Sequence, residues 1–197
     1  DMPHQFDAVK AFLFGGISLH CNPGAETYVQ FAETHAHGSV VMVDPNIRTS
    51  FISKEMLFRE HMERIFRLAD IVKVSDEDLN WLFPEPETVE KKINIVKEFG
   101  PALVVLTQGE SGVTAWKPDG NPIFVESLKV DVVDTVGAGD SFNAGFLTSL
   151  AKAGHINKAD IRQILENDII AALNYGVRAA AVTVGRAGAN PPWKDEL

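Results

Sequence analysis

Residues 134–142 read Asp-Thr-Val-Gly-Ala-Gly-Asp-Ser-Phe, and they stand between a strand-like run of valines and a helix-like run. The valines are Val130, Val132 and Val133, and the helical pattern begins at Ser141. This order predicts a strand, a tight glycine turn and the start of a helix. Glycine lets the backbone come close to a ligand, and the first N–H groups of a helix have no partner within it. We therefore expect a phosphate-binding site at this turn.

Asp140 places a carboxylate in the first turn of the predicted helix, beside the expected anion. A carboxylate next to phosphate is electrostatically unfavourable unless it has a task, such as accepting the proton of an attacking hydroxyl. The alternative is that Asp140 only caps the helix, because Asp is common at such positions. A P-loop requires Gly-Lys-Ser/Thr after its glycines, and a dinucleotide fingerprint requires glycine where this chain has Phe142. Both of those motifs are therefore excluded.

Short apolar runs alternate with helical stretches along the whole chain. The predicted strands are 9–19, 40–43, 71–74, 102–107 and 113–116, and the predicted helices are 26–35, 54–68, 86–99, 141–153 and 169–181. Strands that are apolar along their length indicate parallel βαβ units with helices on both faces of the sheet. No internal repeat or composition break divides the sequence, so residues 1–197 are predicted to form a single α/β domain.

The composition is that of a soluble globular protein, with 45% hydrophobic and 23% charged residues. The formal net charge of -9 argues against nucleic acid as a partner. Cys21 is the only cysteine, so no internal disulfide can form and a reducing compartment is expected. No apolar run has membrane-spanning length and Asp1-Met2-Pro3-His4 does not begin a signal peptide, so we predict a cytoplasmic protein without a membrane partner. The final Lys194-Asp195-Glu196-Leu197 spells a retention address for the endoplasmic reticulum, which we interpret as a coincidence.

The glycine turn and the Ala144-Gly145-Phe146 that follows it resemble the C-terminal signature of the ribokinase-like (PfkB) sugar kinases. The flanking sequence is most similar to bacterial fructokinases. The resemblance covers essentially the whole chain, through Phe14-Gly15-Gly16-Ile17-Ser18-Leu19, Asp44-Pro45-Asn46-Ile47-Arg48, Lys73-Val74-Ser75-Asp76-Glu77-Asp78 and Arg186-Ala187-Gly188-Ala189. It implies a three-layer α/β/α fold with a mostly parallel sheet. It also implies that the family's N-terminal part, with most sugar contacts and a small lid, is missing from this sequence.

The resemblance further implies an ATP-dependent kinase that phosphorylates a primary hydroxyl of a sugar, with fructose as the leading candidate. Ribose, 2-keto-3-deoxygluconate or a nucleoside is the alternative acceptor. ATP and Mg²⁺ are the implied cofactors, together with an effect of K⁺, and a homodimer would form through the missing lid. By motif position the implied roles are Asp140 as the proton acceptor and the turn from Gly137 to Asp140 as the anion hole, in which the amides of Ala138, Gly139 and Asp140 stabilise the charge. The resemblance further places Thr107, Gly109, Asn174 and Gly139 at the nucleotide, Asp78 at magnesium through water, and Asp134 at a monovalent cation.

Asp44, Asn46 and Arg48 follow a predicted strand, where open α/β sheets bind their ligands. Arg48 could bind phosphoryl oxygens with its planar guanidinium, and Asp44 or Asn46 could orient phosphate or a metal-bound water. The resemblance places this segment at the phosphate and the substrate. The alternative is an Asp-Pro-Asn turn followed by a solvated arginine.

Three further segments keep two interpretations each. Ser75 and Asp78 occupy the family's Asn-x-x-Glu motif but differ from it, and they could equally cap a helix. Lys73 could meet a phosphate or extend its charge towards solvent. Asn174 stands in an alanine-rich helix where small residues leave room for a planar ring, or where they serve helix packing alone. The histidines have no metal-binding spacing, so no zinc site is predicted.

The rival to a kinase is a non-catalytic nucleotide-binding module, which would keep the anion turn without the sugar-binding half. A dinucleotide-dependent oxidoreductase is a more remote alternative, which Phe142 disfavours.

Overall fold

A computed structural model describes residues 6, 8–85 and 87–197. Within these residues one sheet holds six strands in the order β1-β2-β3-β4-β5-β6. Strands β1 to β4 are parallel, whereas β5 is antiparallel to both β4 and β6. The α/β class with a mostly parallel sheet is therefore confirmed. The strands are β1 (Ala11–Gly15), β2 (Val40–Asp44), β3 (Ile71–Ser75), β4 (Leu103–Thr107), β5 (Val113–Trp116) and β6 (Ile123–Val125).

Helices connect the strands and cover the sheet. All five helices expected from periodicity are present, and the two short helices Asp76–Leu82 and Lys158–Arg162 were not expected from it. Pro86, the first residue of one predicted helix, and Asp1-Met2-Pro3-His4 lie outside the described residues. No helix in the described part is long and apolar enough to cross a membrane. The helices are α1 (Gly24–His35), α2 (Glu55–Phe66), α3 (Asp76–Leu82), α4 (Val89–Lys97), α5 (Ala138–Lys152), α6 (Lys158–Arg162) and α7 (Glu166–Val184).

Two hydrophobic cores lie on opposite faces of the sheet. Successive residues of β2 alternate between them, so that Val41 and Val43 face α1 to α4, whereas Val40 and Met42 face α5 to α7. Both faces of the strand are buried, which explains why every residue of β2 is buried and why its sequence is apolar without alternation. Full burial of each such side chain contributes about 1.5–3 kcal/mol to folding. This three-layer arrangement confirms the expected architecture.

Helices α5 and α7 cross at close range because glycines stand at their contact. A Cβ atom added to Gly145 would lie 2.9 Å from the carbonyl oxygen of Tyr175. One added to Gly176 would lie 2.8 Å from the ring of Phe142. The glycine that follows the turn motif therefore has a packing role: it lets α7 approach the helix that begins at the turn.

The strand predicted from Val130, Val132 and Val133 is wrong. These residues belong to a loop between β6 and α5, and their exposed fractions are 41%, 65% and 60%. β-branched residues form a strand only where a neighbouring strand can pair with them, and the described part of the chain has no strand beside this loop. The last strand of the sheet is β6, which the sequence pattern did not indicate. The assignment of residues 1–197 to one domain stays a prediction.

Candidate active site

Segments that were singled out in the sequence meet at the carboxyl edge of the parallel strands. The register pairs Gly15 with Asp44 and Ser75 with Thr107, so the loops that follow β1 to β4 leave the sheet side by side. Helix α5 begins over the same edge, because the side chain of Asn143 binds that of Asp44. The structure thus brings the glycine turn, the Asp44 segment and the β4 end together, at the edge where open α/β sheets bind ligands.

The glycine turn ends in a left-handed residue. Gly137 caps α5 with φ of 80°, a conformation that side-chain-bearing residues rarely adopt. Its carbonyl accepts the N–H of Ser141 at 2.9 Å, whereas the N–H of Ala138 donates to the carbonyl of Thr135 at 3.3 Å. The N–H groups of Gly139 and Asp140 donate to no described residue. Two of the three amides assigned to the anion hole are therefore free for an anion, and that of Ala138 belongs to the turn itself.

Asp140 lies in the first turn of α5 and is exposed. Its carboxylate accepts no hydrogen bond from the described residues, so the structure gives it no capping bond. The exposed carboxylate is accessible to solvent and to a reactant placed at the turn. A carboxylate at this position still gains from the helix dipole, by about 0.3–1 kcal/mol at an exposed site. The arrangement is suited to a proton acceptor beside an anion site.

A buried network supports the turn from below. Asp44 Oδ2 accepts the Nζ of Lys73 at 3.1 Å and the Nδ2 of Asn143 at 2.7 Å. Asp44 is 4% exposed and Asn143 is 1% exposed. Asp44 therefore joins the sheet to α5 instead of pointing freely at a ligand. Sequence reasoning missed Asn143, which is 99 residues away from Asp44 in the chain. Its place one turn after Gly139 was the available signal.

Asp78 fixes the turn that follows β2. Ser75 and Asp78 form a capping box at the start of α3, in which each side chain accepts the backbone N–H of the other. The other oxygen of Asp78 accepts the N–H of Ile47 at 2.8 Å. The helix-capping interpretation is therefore present in the structure, and Asp78 in addition ties α3 to the Asp44 segment. Both of its oxygens bind backbone amides.

The Asp44 segment is a tight turn with an exposed end. Asn46 has φ of 40°, a left-handed conformation in which Asn is the usual non-glycine residue. Arg48 is exposed, and its Nη1 donates to the adjacent carbonyl of Ile47 at 3.2 Å. Gly16 allows the turn to lie against the end of β1, because an added Cβ would stand 1.9 Å from the carbonyl oxygen of Pro45.

Asp134 joins the loop before α5 to the loop after α7. One of its oxygens accepts the N–H of Val136 at 3.0 Å, and the other accepts the N–H of Gly188 at 2.9 Å. These two backbone donors stabilise the carboxylate and hold the pKa of Asp134 below its usual value. The carboxylate thereby fixes both sides of the glycine turn.

The β4 end offers a polar turn beside the same edge. Thr107 is half-buried, and its hydroxyl donates to the carbonyl of Val74 at 3.4 Å. Gly109 has φ of 54° and begins a short 3-10 turn. Gly112 closes this turn, and an added Cβ there would stand 2.5 Å from the carbonyl oxygen of Val125.

An open groove of about 480 Å³ runs between the loop before the glycine turn and the C-terminal end of α7. The backbone N–H groups of Val133 and Asp134 donate to the carbonyl of Val184, which holds the two walls together. Asn174 is exposed and lies on α7 about two turns before Val182, about 12 Å further from the turn at 1.5 Å per residue. Its Nδ2 donates to the carbonyl of Ile170 at 2.8 Å. The groove is lined by Lys129, Val130, Asp131, Ala181, Val182, Gly185 and Arg186.

The described residues contain no group of three or more His, Cys, Asp or Glu side chains that could hold a metal ion. Asp44 Oδ1 and Asn143 Oδ1 accept no hydrogen bond from the described residues, but both are buried. Asp140 is thus the accessible carboxylate at the turn. This set fits Mg²⁺ that keeps its waters and is carried by phosphate, since such a site needs only one or two protein carboxylates.

Comparison with known proteins agrees with this geometry. The sequence profile described as "pfkB family carbohydrate kinase" matches residues 3–196. The chain belongs to the pfkB family of carbohydrate kinases. The expected resemblance is thereby confirmed over nearly the whole sequence. Among solved structures, fructokinase from Vibrio cholerae O395, bound to fructose, ADP and calcium, superposes with a TM-score of 0.75 at 26% identity, over 91% of this chain and 56% of that one.

Curated relatives of this chain are named as fructokinases. A fructokinase of Rhizobium leguminosarum bv. trifolii is 39% identical over 169 residues, which are 84% of this chain and 50% of the relative. A fructokinase of Klebsiella pneumoniae is 32% identical over 182 residues, which are 92% of this chain and 57% of the relative. The chain thus spans about half the length of the curated relatives it matches. The fructokinase from Xylella fastidiosa with bound ATP has a TM-score of 0.84 at 23% identity, which supports the fold alone.

Proposed function

We propose that this chain carries the nucleotide site and the proton acceptor of a kinase that transfers the γ-phosphoryl group of ATP to a primary hydroxyl of a sugar. The observation that carries the proposal is the pairing of an exposed Asp140 carboxylate with the free N–H groups of Gly139 and Asp140 at the start of α5. The amides stabilise negative charge on the transferring group, and the carboxylate accepts a proton beside it. These are the two needs of phosphoryl transfer to an alcohol.

The reaction balances with these groups. The sugar hydroxyl oxygen bonds to the γ-phosphorus, and its proton passes to the carboxylate of Asp140. The bond between that phosphorus and the bridging oxygen of the β-phosphate breaks, and ADP leaves with the electron pair. Asp140 then returns its proton to solvent, which its exposure permits. Each amide that donates to the transferring group, such as that of Gly139, is expected to contribute about 10²–10³-fold to kcat, which is the loss seen when one such donor is removed from an oxyanion hole.

The nucleotide would extend from the glycine turn into the groove. The turn and the groove share the loops that Asp134 and Val184 hold together, so phosphates at the turn leave the base and ribose within reach of Val182. Thr107 and Gly109 would border the phosphates at the end of β4. Asn174 would reach the far end of the base. The Vibrio cholerae fructokinase was solved with ADP and a sugar kinase from Pyrococcus horikoshii with ATP, which supports a nucleotide as the ligand of this chain.

Magnesium bound to ATP would neutralise charge on the phosphates. Asp140 would contact its waters at the turn. Asp78 would act indirectly, because its oxygens already hold the backbone of Ile47 and Ser75. For Asp134 we likewise propose that K⁺ changes the activity through the two loops that the Asp134 carboxylate joins, before α5 and after α7. Arg48, exposed at the end of the Asp44 segment, would bind phosphoryl oxygens, and Asp44 and Asn46 would shape that segment.

Fructose is the acceptor we propose, because the relatives named above are fructokinases and one neighbour is described with fructose bound. A homodimer stays a prediction from the family resemblance, and a cytoplasmic location stays a prediction from the sequence. The second candidate is a nucleotide-binding module without turnover. It is favoured by the single observation that the chain spans only about half of its relatives.

One assay separates the two candidates. The 197-residue chain and its Asp140→Asn variant are incubated with ATP, Mg²⁺ and a panel of fructose, ribose, 2-keto-3-deoxygluconate and a nucleoside, and the products are measured by mass. A kinase gives a phosphorylated product that is lost in the variant while ADP affinity, measured by calorimetry, is retained. Bound nucleotide without product in either protein supports the module. Turnover near the wild-type rate in Asp140→Asn contradicts the role of Asp140.

A further inference from the structure

Lys73 is a buried lysine beneath the glycine turn. It lies in the middle of β3, and only 6% of its side chain is exposed. Its Nζ stands 3.1 Å from Asp44 Oδ2, and a Cβ atom added to Gly139 would lie 3.5 Å from Nζ and 4.0 Å from that same oxygen. The ion pair therefore lies directly beneath Gly139, where a side chain at that position would meet it.

A charge at this position is costly if only packing is considered. The side chain of Ile71, two residues earlier in β3, belongs to the core beneath α5 to α7, and an apolar residue at position 73 would extend that core. A buried ion pair seldom stabilises a fold more than an apolar pair of similar volume, because both ions lose their hydration. The site therefore calls for a role beyond stability.

The network converges on one atom. Asp44 Oδ2 accepts hydrogen bonds from both Lys73 and Asn143, whereas Asp44 Oδ1 accepts no hydrogen bond from the described residues. Asn143 follows Gly139 by one helical turn, so the carboxylate holds the start of α5 through it. Without Lys73 the carboxylate would keep one donor and a buried, uncompensated charge. Its hold on α5 would then weaken.

We propose that Lys73 is the positioning residue of the glycine turn. It fixes the Asp44 carboxylate, which fixes the start of α5 through Asn143, and it sets a positive charge beneath the free amides of Gly139 and Asp140. The positioning of the start of α5 is independent of the proposed function, whereas the effect on nucleotide binding rests on it. Removal of this cation would leave the Asp44 carboxylate uncompensated beneath the turn, and its repulsion of a bound anion would increase with the phosphate charge.

Lys92 provides a matched control for a substitution of Lys73. It is 6% exposed, and its Nζ donates to Asn80 Oδ1 at 2.7 Å, but it lies on α4 against the opposite face of the sheet. Lys73→Met and Lys92→Met are made in the 197-residue chain. Amide hydrogen exchange is followed for residues 141–146, and calorimetry without Mg²⁺, where the phosphate charge increases along the series, gives the Kd values of AMP, ADP and ATP.

We expect exchange in residues 141–146 to be at least about tenfold faster in Lys73→Met than in Lys92→Met, as the loss of a hydrogen bond to a charged group implies. The loss of affinity relative to the wild-type chain should be smallest for AMP and largest for ATP in Lys73→Met, and it should reach about tenfold or more for ATP. If Lys73→Met does not fold, Lys73→Gln, which keeps a donor for Asp44 without the charge, is measured in the same way.

Equal exchange in the two variants would overturn the positioning role. An affinity for ATP in Lys73→Met equal to that in Lys92→Met would overturn the electrostatic role. Faster exchange in Lys73→Met together with a wild-type chain that binds no nucleotide would support the positioning role and refute the proposed function. The failures of the two proposals are thus distinguishable.

Discussion

The Oδ1 atom of Asp78 accepts a hydrogen bond of 2.8 Å from the backbone N–H of Ile47. Ile47 stands in the turn after β2, between Asn46 with its left-handed backbone and the exposed Arg48. The bond therefore sets the backbone from which a candidate phosphate-binding guanidinium extends. It also explains how aspartate can serve where the family motif has glutamate: in this chain the side chain reaches backbone amides, for which the shorter length suffices.

Asp78→Ala should destabilise the fold and loosen the turn after β2. The substitution leaves the buried N–H of Ile47 without its acceptor and removes half of the capping box at Ser75. Together these losses are expected to lower the free energy of unfolding by about 2–4 kcal/mol. Urea denaturation followed by circular dichroism measures the change. Asp76→Ala is the control, because Asp76 is an exposed acid in the same first turn, and its effect should remain within about 1 kcal/mol. Equal effects of the two substitutions would contradict the role of Asp78 as a clamp.

Gly16→Ala should displace the same turn from the other side. A Cβ at this position would stand 1.9 Å from the carbonyl oxygen of Pro45, which is backbone and cannot move aside alone. Overpacking of this kind costs about 1–3 kcal/mol. Gly24→Ala is the matched control, since no atom lies within 4 Å of its added Cβ. Thermal unfolding of both variants gives the comparison, and a Gly16→Ala protein as stable as Gly24→Ala would show that the contact with Pro45 is not tight in solution.

The sequence pattern predicted the buried strands well because both of their faces are covered. Strands β2 and β4 show no alternation, and their apolar runs alone were sufficient to locate them. The loop at 130–133 has the same β-branched composition without a strand to pair with, and local composition does not report on pairing. The difference between the two cases lies in tertiary context.

In the candidate site, too, local features could be predicted from the sequence, whereas features that depend on tertiary contacts could not. The glycine turn could be predicted, since its chemistry lies within a few consecutive residues. The network beneath it could not, because the bond between Asn143 and Asp44 joins residues 99 positions apart and depends on the packing of α5 on the sheet. Lys73 had two interpretations from sequence, and its burial against Asp44 is a property of the assembled edge.

Asp134→Asn should change the dependence of stability on pH. The N–H groups of Val136 and Gly188 hold the pKa of Asp134 below its usual value, so the unfolded chain binds the proton more readily than the folded one. The stabilisation is therefore fully present above the unfolded pKa and is lost as the pH falls through the folded pKa. We expect the wild-type advantage over Asp134→Asn to be largest near neutral pH and to shrink below about pH 5. Urea denaturation at several pH values tests this, and a difference that is the same at neutral and acidic pH would argue against it.

Val182→Trp should fill the groove beside the glycine turn and exclude a nucleotide. Val182 is half-buried on the wall that α7 contributes, and the groove of about 480 Å³ is open enough for an indole to enter without unfolding the helix. If the groove binds the base, ADP affinity should fall at least about tenfold, which is about 1.4 kcal/mol. Ala159→Trp, on the exposed surface of α6, controls for an added tryptophan.

Asn174→Ala completes the test of the groove, because Asn174, about two turns before Val182 on α7, is proposed to reach the far end of the base. The loss of one hydrogen bond to the base would weaken ADP binding by about fivefold. Calorimetry on the three variants distinguishes the outcomes. A loss in Val182→Trp alone would place the base near the turn and remove Asn174 from the site. ADP affinity unchanged in Val182→Trp would mean that the nucleotide, if bound at the glycine turn, leaves it in another direction.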